Sequence, residues 1–313
     1  MKLALAGDTM LGRGVADRLE TVGADELFAP ELVEILREAD LFILNLECCM
    51  SARGEPDAGA VFHFRAPPWA TQVLTRLGVD CVTLANNHAL DFGLDALVDT
   101  LAHLDAAGIR VVGAGTDVER ARAPIVLEAD GFRLGVVAVT DHPRRYAAES
   151  DRPGVAYAQL ERRDLPEWLH TTVAALEVDA TLVTPHWGPN MIPEPVPHVR
   201  AAATLLHEAG ATIVAGHSAH VFHGVAPGVL YDLGDFLDDY RVDDRLRNDL
   251  GLLFLVELDG DRMEAIPLKL DYAYTRLADG DERAWIRRRF TDACAALGTT
   301  VADEGGRLVA AWR

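Results

Sequence analysis

The sequence predicts an α/β fold in which a mixed sheet, or two stacked sheets, is flanked by helices. Short apolar runs alternate with helical patterns through the first two thirds of the 313-residue chain. Two pairs of apolar runs meet at Asp-Gly turns and read as antiparallel hairpins, which a purely parallel layer would not contain. Half of the residues are hydrophobic, enough to bury a sizeable core.

In chain order, Lys2–Ala6, Leu41–Leu46, Cys81–Ala85 and Val111–Gly113 are short apolar runs of strand length. Ile125–Glu128 and Arg133–Val139 flank Ala129-Asp130-Gly131 as the first hairpin, with Leu134–Val139 as the apolar part of its second arm. Thr181–Thr184, Thr212–Ala215 and Val229–Leu233 continue the strand series, and Leu252–Leu258 with Met263–Leu268 forms the second hairpin around Asp259-Gly260-Asp261. Between them, Pro30–Ala39, Pro67–Leu77, Leu94–Ala107, Arg163–Leu176 and His198–Ala209 space their apolar residues three and four apart, as helices do. Pro67 and Pro68 suit a first helical turn, and Gly78, Gly108 and Gly210 suit helix stops. With no repeat, low-complexity tract or long linker, one domain over 1–313 is expected. Residues 271–313 are expected to form a helical closing segment around the amphipathic run Asp281–Leu297.

The formal charge of −20 argues against nucleic acid and anionic membrane as partners, because both are bound by neutralising phosphates with Lys and Arg. An anionic substrate would need local cations, and bound divalent metals would serve. Cys48, Cys49, Cys81 and Cys294 have neither zinc-ribbon spacing nor a disulfide framework, so reduced buried thiols are expected. No apolar run is long enough to span a bilayer, and the start is too short in apolar residues for a signal peptide. A soluble, cytoplasmic chain without a membrane anchor is therefore expected.

Polar motifs sit where the apolar runs end, and ligands of open α/β sheets bind at such ends. Gly7-Asp8 follows the first strand; alone, the Asp is as readily a helix cap. In Asn45-Leu46-Glu47 the outer two side chains share a face, and a buried Glu47 would need a partner, either a metal or an arginine such as Arg13. Asn86-Asn87-His88 with Asp91 is stronger: it combines a neutral oxygen donor, an imidazole and a carboxylate that orients it for general-acid work. His186 and the pair His217 and His220 end two further strands, and imidazoles mixed with carboxylate and amide oxygens suit Zn, Mn or Fe rather than Ca. Asp235 follows a strand and Gly234, so it lines the pocket or holds a metal-bound histidine. Asp238, Asp239, Asp243 and Asp244 read as solvated or capping acids, and His142 and His223 are the remaining histidines most suited to a site.

Two loops, Cys48–Ala66 and Asp141–Pro153, are long enough to be either active-site walls or surface excursions. Arg13, Arg65, Arg144 and Arg145 lie near the motifs and could grip an anion. Arg13, Asn45, Asn86, Trp187 and Asp235 are the candidates to contact substrate.

Taken in order, Gly7-Asp8, Asn45-Leu46-Glu47, Asn86-Asn87-His88 with Asp91, His186-Trp187-Gly188, Gly216 through His220 and Leu233-Gly234-Asp235-Phe236 resemble the CapA family. These are the poly-γ-glutamate capsule biosynthesis proteins, related to the calcineurin-like metallophosphoesterases, and the motifs run from residue 3 to about 270. The resemblance implies a four-layer α/β/β/α sandwich of two mixed sheets flanked by helices, with a dinuclear metal centre at the strand ends. It places Asp8 on the first metal, Glu47 between the metals, Asn87 and His186 on the second, and His217 and His220 around both, with His88 as the catalytic histidine and Asp91 behind it. Met10 stands where phosphoesterases carry a histidine, Glu47 where they carry an aspartate, and His217 and His220 are one residue further apart than in their relatives. One or two divalent ions per chain are therefore expected.

The function expected is a metal-dependent hydrolase, foremost a phosphoesterase working through a metal-bound water or hydroxide. The alternatives are a soluble CapA-type component of polyglutamate or γ-glutamyl amide metabolism, and a non-catalytic metal- or ligand-binding protein. The partner in each case is a small phosphoester or γ-glutamyl molecule.

Overall fold

Alternation along the strand Lys2–Thr9 sets the layering of the computed structural model, which describes residues 1–313. Leu3 and Leu5 point one way, joining Leu41 and Ile43 of the neighbouring strand and Leu134, Val136, Leu182 and Ile213 of a second sheet in a core between the sheets. Ala4 and Ala6 point the other way, with Phe42, Leu44 and Val82, beneath helices Arg13–Val22, Pro30–Leu36, Thr71–Leu77 and Gly93–Ala106. On the far side, Val137, Val139, Val183 and Val214 pack under helices Glu167–Ala174 and Pro197–Glu208. The layers are helix, sheet, sheet, helix, the four-layer arrangement expected.

The larger sheet runs Ala302–Glu304, Arg307–Ala311, Arg262–Asp271, Leu250–Glu257, Lys2–Thr9, Leu41–Leu46, Cys81–Thr83, Arg110–Val112. From Lys2–Thr9 to Arg110–Val112 its neighbours are parallel, and on the other side they are antiparallel. The second sheet runs Val225–Ala226, Val229–Leu230, Ile213–Ala215, Ala180–His186, Phe132–Thr140, Ile125–Ala129, parallel in its middle and antiparallel at both edges. Both expected hairpins are present. The parallel strands of both sheets deliver their C-terminal ends to one side of the molecule, and His186 forms a bridge to His217 there.

Several elements differ from the sequence reading. Helix Arg13–Val22, not among the helices the sequence predicts, lays Val15, Leu19 and Val22 at helical spacing against the core. Strand Asp235–Leu237 is a second such element, and the expected strand Val229–Leu233 stops at Leu230. The segment 271–313 is helical over Gly280–Ala295 but also holds strand Tyr274–Leu277 and the hairpin Ala302–Glu304 with Arg307–Ala311, which extends the larger sheet. Its helix places Ile286, Phe290 and Cys294 in the core between the sheets. The four cysteines are free and buried, and no helix is long and apolar enough to cross a membrane.

Phe290 is fully buried and stacks edge-on with Phe222, whereas Arg288 is exposed. Phe290→Ala is expected to lower unfolding free energy by about 3–5 kcal/mol and Arg288→Ala by less than about 0.5 kcal/mol, read by urea titration.

Candidate metal centre

Close backbone approach builds the floor of the site. A Cβ on Gly7 would stand 1.8 Å from the Gly234 carbonyl oxygen, so only glycine lets the first strand and the segment Leu233-Gly234-Asp235 touch there. Asp8 N–H donates to that same carbonyl at 2.9 Å, and Asp8 and Asp235 face each other in parallel register. The register of the first strand shifts on both sides of Asp8, an irregularity that re-aims the side chain at the strand tip.

Asp8, Glu47, His220 and Asp235 are buried and offer donor atoms that all lie within 4.8 Å of one another. His220 Nδ1 is 2.8 Å from Asp235 Oδ1, 3.5 Å from Asp8 Oδ2 and 3.9 Å from Glu47 Oε2. His217 Nδ1 lies 3.2 Å from Asp8 Oδ1, and His186 Nε2 lies 3.9 Å from Glu47 Oε1. Asp8 Oδ2, Glu47 Oε1, Asn87 Oδ1, His186 Nδ1, His217 Nδ1 and Asp235 Oδ2 are all buried without a hydrogen-bond partner. Unpaired buried polar atoms are costly, and those of Asp8, Glu47 and Asp235 belong to residues of the one clustered donor set, the pattern of a cation site.

The electrostatics agree. Burial pushes Glu47 well above the usual carboxylate range, with the neighbouring Asp8 adding to it, and burial with Asp238 and Asp8 does the same to Asp235. Burial acts on Asp8 too, but His217, then His186 and His220, outweigh it and hold that carboxyl low. Burial drives His186 well below the ordinary imidazole range, leaving one ring nitrogen with a lone pair to offer. Carboxylates this close repel one another's charge, and a divalent cation removes that repulsion. Carboxylate oxygen, amide oxygen and neutral imidazole suit Zn, Mn or Fe.

A hydrogen-bonded frame holds these groups. Asn45 Nδ2 donates to Asp8 Oδ1 at 2.8 Å, and Asn86 Nδ2 donates to Asn45 Oδ1 at 2.9 Å and to the Leu46 carbonyl at 2.8 Å. Asn86 Oδ1 accepts from His88 N–H at 3.0 Å. Asn45 and Asn86 were expected to touch substrate; both are fully buried and committed to this frame instead. Trp187 is corrected likewise: it lies in the core beneath the helices, its Nε1–H donating to the Tyr231 carbonyl at 3.0 Å. Asp232, unremarked in the sequence, accepts from Ala219 N–H at 2.8 Å and Gly234 N–H at 2.9 Å, tying the histidine loop to the Asp235 strand. Within that loop Ser218 (φ 110°) and His220 (φ 57°) adopt left-handed backbone, strain of the kind that accompanies functional sites.

A cavity of about 540 Å³ opens over the floor, bounded by Asn87, His88, Ser218 and His220. His88 Nδ1–H donates to Asp91 Oδ2 at 2.6 Å, and the same carboxylate oxygen accepts from Phe64 N–H at 2.7 Å. Phe64 covers the His88 ring at 4.0 Å between centroids. Both long loops prove to be cavity walls, through Ala60–Phe62 and Phe64 on one side and His142, Pro143 and Arg145 on the other. Arg13 lines the cavity, paired with Asp239 at 3.0 Å, and Arg145 lines it paired with Asp57 at 2.7 Å. Arg65 instead stacks on Phe92, and Arg144 faces a separate hollow. Asp238 and Asp239, read as solvated acids, are buried; burial lifts Asp238 to about 6. Met10 is fully buried in the core under the helices, its Sδ accepting from Gly12 N–H at 3.0 Å, so it adds no donor to the site.

A family model described as "Bacterial capsule synthesis protein PGA_cap" matches residues 2–240. The "Probable polyglutamine synthesis accessory protein" of Mycobacterium tuberculosis strain H37Rv is 29% identical, spanning 97% of this chain and 94% of that protein. The "PGA biosynthesis protein CapA" of Bacillus subtilis is 28% identical over 76% of this chain and 63% of its own length. Among solved structures, a hypothetical protein from Thermus thermophilus has TM-score 0.46 at 19% identity, covering 88% of this chain and 96% of that one. A 5'-nucleotidase from Candida albicans has TM-score 0.45 at 10% identity, covering 95% and 58%.

Two measurements follow from this geometry. Adding Mn²⁺ or Zn²⁺ to chelator-treated protein is expected to raise the melting temperature, by about 2.7 kcal/mol of stability at a hundredfold excess over Kd, and Asp235→Asn to remove most of the gain. His223 is buried with Nε2–H on the Ile192 carbonyl at 3.0 Å, and burial pulls its imidazole down to about 4. Its folded value lies below its unfolded value, so its contribution is present above pH 6.5 and lost as pH falls toward 4. His223→Gln, which cannot charge, should shrink the stability loss between pH 7 and 4 by about 3 kcal/mol.

Proposed function

The chain belongs to the bacterial capsule synthesis protein family, and within that family we propose that it is a metal-dependent hydrolase of small anionic substrates, foremost phosphoesters. The observation that carries the reading is the His88–Asp91 pair on the wall of the same cavity that His220 and Asn87 line. Asp8, Glu47, His220 and Asp235 would hold one divalent ion, Mn, Fe or Zn. Asn87, His186 and His217, with Glu47 shared, would hold a second. Such ions supply Lewis-acid polarisation of the scissile group and a water made acidic enough to attack at neutral pH.

The side chains do the rest. With Nδ1–H committed to Asp91, His88 turns Nε2 to the cavity, where its imidazolium form can carry a proton to the leaving oxygen. Arg13, fixed by Asp239 and lying 5.4 Å from the Phe64 ring centroid, brings a cation to an otherwise acidic molecule. Arg145 and Arg241 add charge at the rim. Residues 1–313 are taken as one domain, since strands from both chain ends share the larger sheet.

A second reading has its own support. The relatives are named for polyglutamine synthesis and for PGA biosynthesis, and the poly-γ-glutamate of the family resemblance carries repeating carboxylates that would also suit Arg13, Arg145 and Arg241. The substrate would then be a γ-glutamyl amide, cleaved by the same groups.

Purified protein is expected to carry metal by mass spectrometry and to turn over p-nitrophenyl phosphate, bis-p-nitrophenyl phosphate or γ-glutamyl-p-nitroanilide. His88→Ala should keep its metal and lose about 10²–10⁴-fold in kcat. Folded protein that takes up no metal, or a variant as active as the parent, would refute the reading; tight metal binding with no turnover would mark a non-catalytic binding protein.

A further inference from the structure

The wall opposite His88 carries a second histidine–carboxylate pair, delivered by the other sheet. Asp141 and His142 follow strand Phe132–Thr140, as His88 and Asp91 follow strand Cys81–Thr83. His142 Nδ1 is hydrogen-bonded to Asp141 Oδ1, and Asp141 Oδ2 accepts from Gly188 N–H at 3.0 Å. The first pair is built the same way, with its carboxylate held by Phe64 N–H.

The second pair is rigidly mounted. Thr140 Oγ1 donates to the His142 carbonyl at 2.6 Å, and Asp141 N–H donates to the His186 carbonyl at 3.2 Å. The His142 ring lies 5.4 Å from the His186 ring and lines the cavity, and its Nε2 has no protein partner. The Asp141 side chain is buried, whereas the imidazole it steers is more than a third exposed. A buried carboxylate on an open imidazole fixes ring orientation and tautomer: Nδ1 carries the hydrogen that meets the carboxylate, so in the neutral ring Nε2 is the nitrogen left with a lone pair.

We propose that His142 is a second substrate-contacting residue that accepts a hydrogen bond from an N–H or O–H beside the scissile group, with Asp141 as its positioning residue. The kinetic consequence rests on the hydrolase reading; the contact itself does not. A substrate so gripped carries a donor next to its anionic group, as a hydroxyl-bearing phosphate or a γ-glutamyl amide does.

The test uses the full chain loaded with zinc and histidine ¹⁵N NMR. His142 is expected in the Nδ1–H tautomer, and its Nε2 signal should move on adding a probe with a donor beside its anionic group but not on adding phenyl phosphate, which has none; comparing glycerol 3-phosphate (O–H donor) with γ-glutamylglutamate (N–H donor) separates the two donor sources. Asp141→Asn should change the tautomer, and His142→Ala should lower kcat/KM by about tenfold on donor-bearing substrates only, with His142→Gln restoring part through its amide oxygen. Zinc content should be unchanged in each variant. An Nε2 signal that ignores both donor probes, an equal response to phenyl phosphate, or loss of zinc from His142→Ala would overturn the proposal. A failed hydrolase reading looks different: no turnover by the parent while the Nε2 signal still moves.

Discussion

Three carboxylates and an imidazole packed within 4.8 Å, away from water, form the constraint that the rest of this molecule is arranged around. Such a group resists assembly, since each acid raises the cost of ionising the next. It can exist only where the chain is held from several sides at once. The Gly7–Gly234 contact lets two backbones approach closely enough to set Asp8 opposite Asp235. The amide chain from Asp8 through Asn45 and Asn86 to the His88 backbone then links three neighbouring strand ends of one sheet. Asp232 fastens the left-handed loop that carries His220. Cation binding would release the electrostatic cost that these contacts impose, which couples stability to the metal.

The two sheets divide the labour. The larger one supplies most of the floor and the His88–Asp91 pair; the second supplies His186, His217 and the Asp141–His142 pair. Because both present strand ends to the same side, a cavity forms where the tips meet, and the two long loops close it laterally. Asp57 joins those walls, accepting from Arg145 and, at 2.7 Å, from Tyr146 O–H, which also reaches Asp91 at 3.5 Å. The orientation of His88 thus depends on contacts from both sheets.

Strand ends announce themselves in a sequence: an apolar run that stops at a polar residue marks a tip, and Asp8, Glu47, Asn87, His186, His217 and His220 all stand at or within a few residues of such tips. The layering was legible through the resemblance and the alternation of strands. What was not legible depended on partners distant in sequence. A buried amide and a substrate-binding amide look alike in one dimension, so Asn45 and Asn86 were misplaced; an indole beside a histidine looks like a pocket wall, yet Trp187 is packing. Asp239 appeared solvated because its neighbours are acidic, and only the fold brings it Arg13. His142 was singled out, but its pairing with Asp141 needed the Gly188 contact to become meaningful.

Met10, which stands where the resemblance implies a histidine, lies outside the donor cluster for a reason of topology. A histidine two residues beyond Asp8 would have to turn into the site, but the shifted register at the strand tip sends Met10 into the core, where its sulfur is occupied by Gly12 N–H. The strand paired in parallel beyond Asp8 places a carboxylate, Asp235, directly opposite, and its oxygen falls within the same cluster. If Asp235 stands in for that histidine, the acid would strengthen attraction for a hard divalent ion and weaken it for an anionic substrate. Arg13 is ion-paired with the buried Asp239 at 3.0 Å, which cancels its charge at long range, so what it offers an anion at the cavity is a fixed guanidinium within contact distance rather than a net positive field.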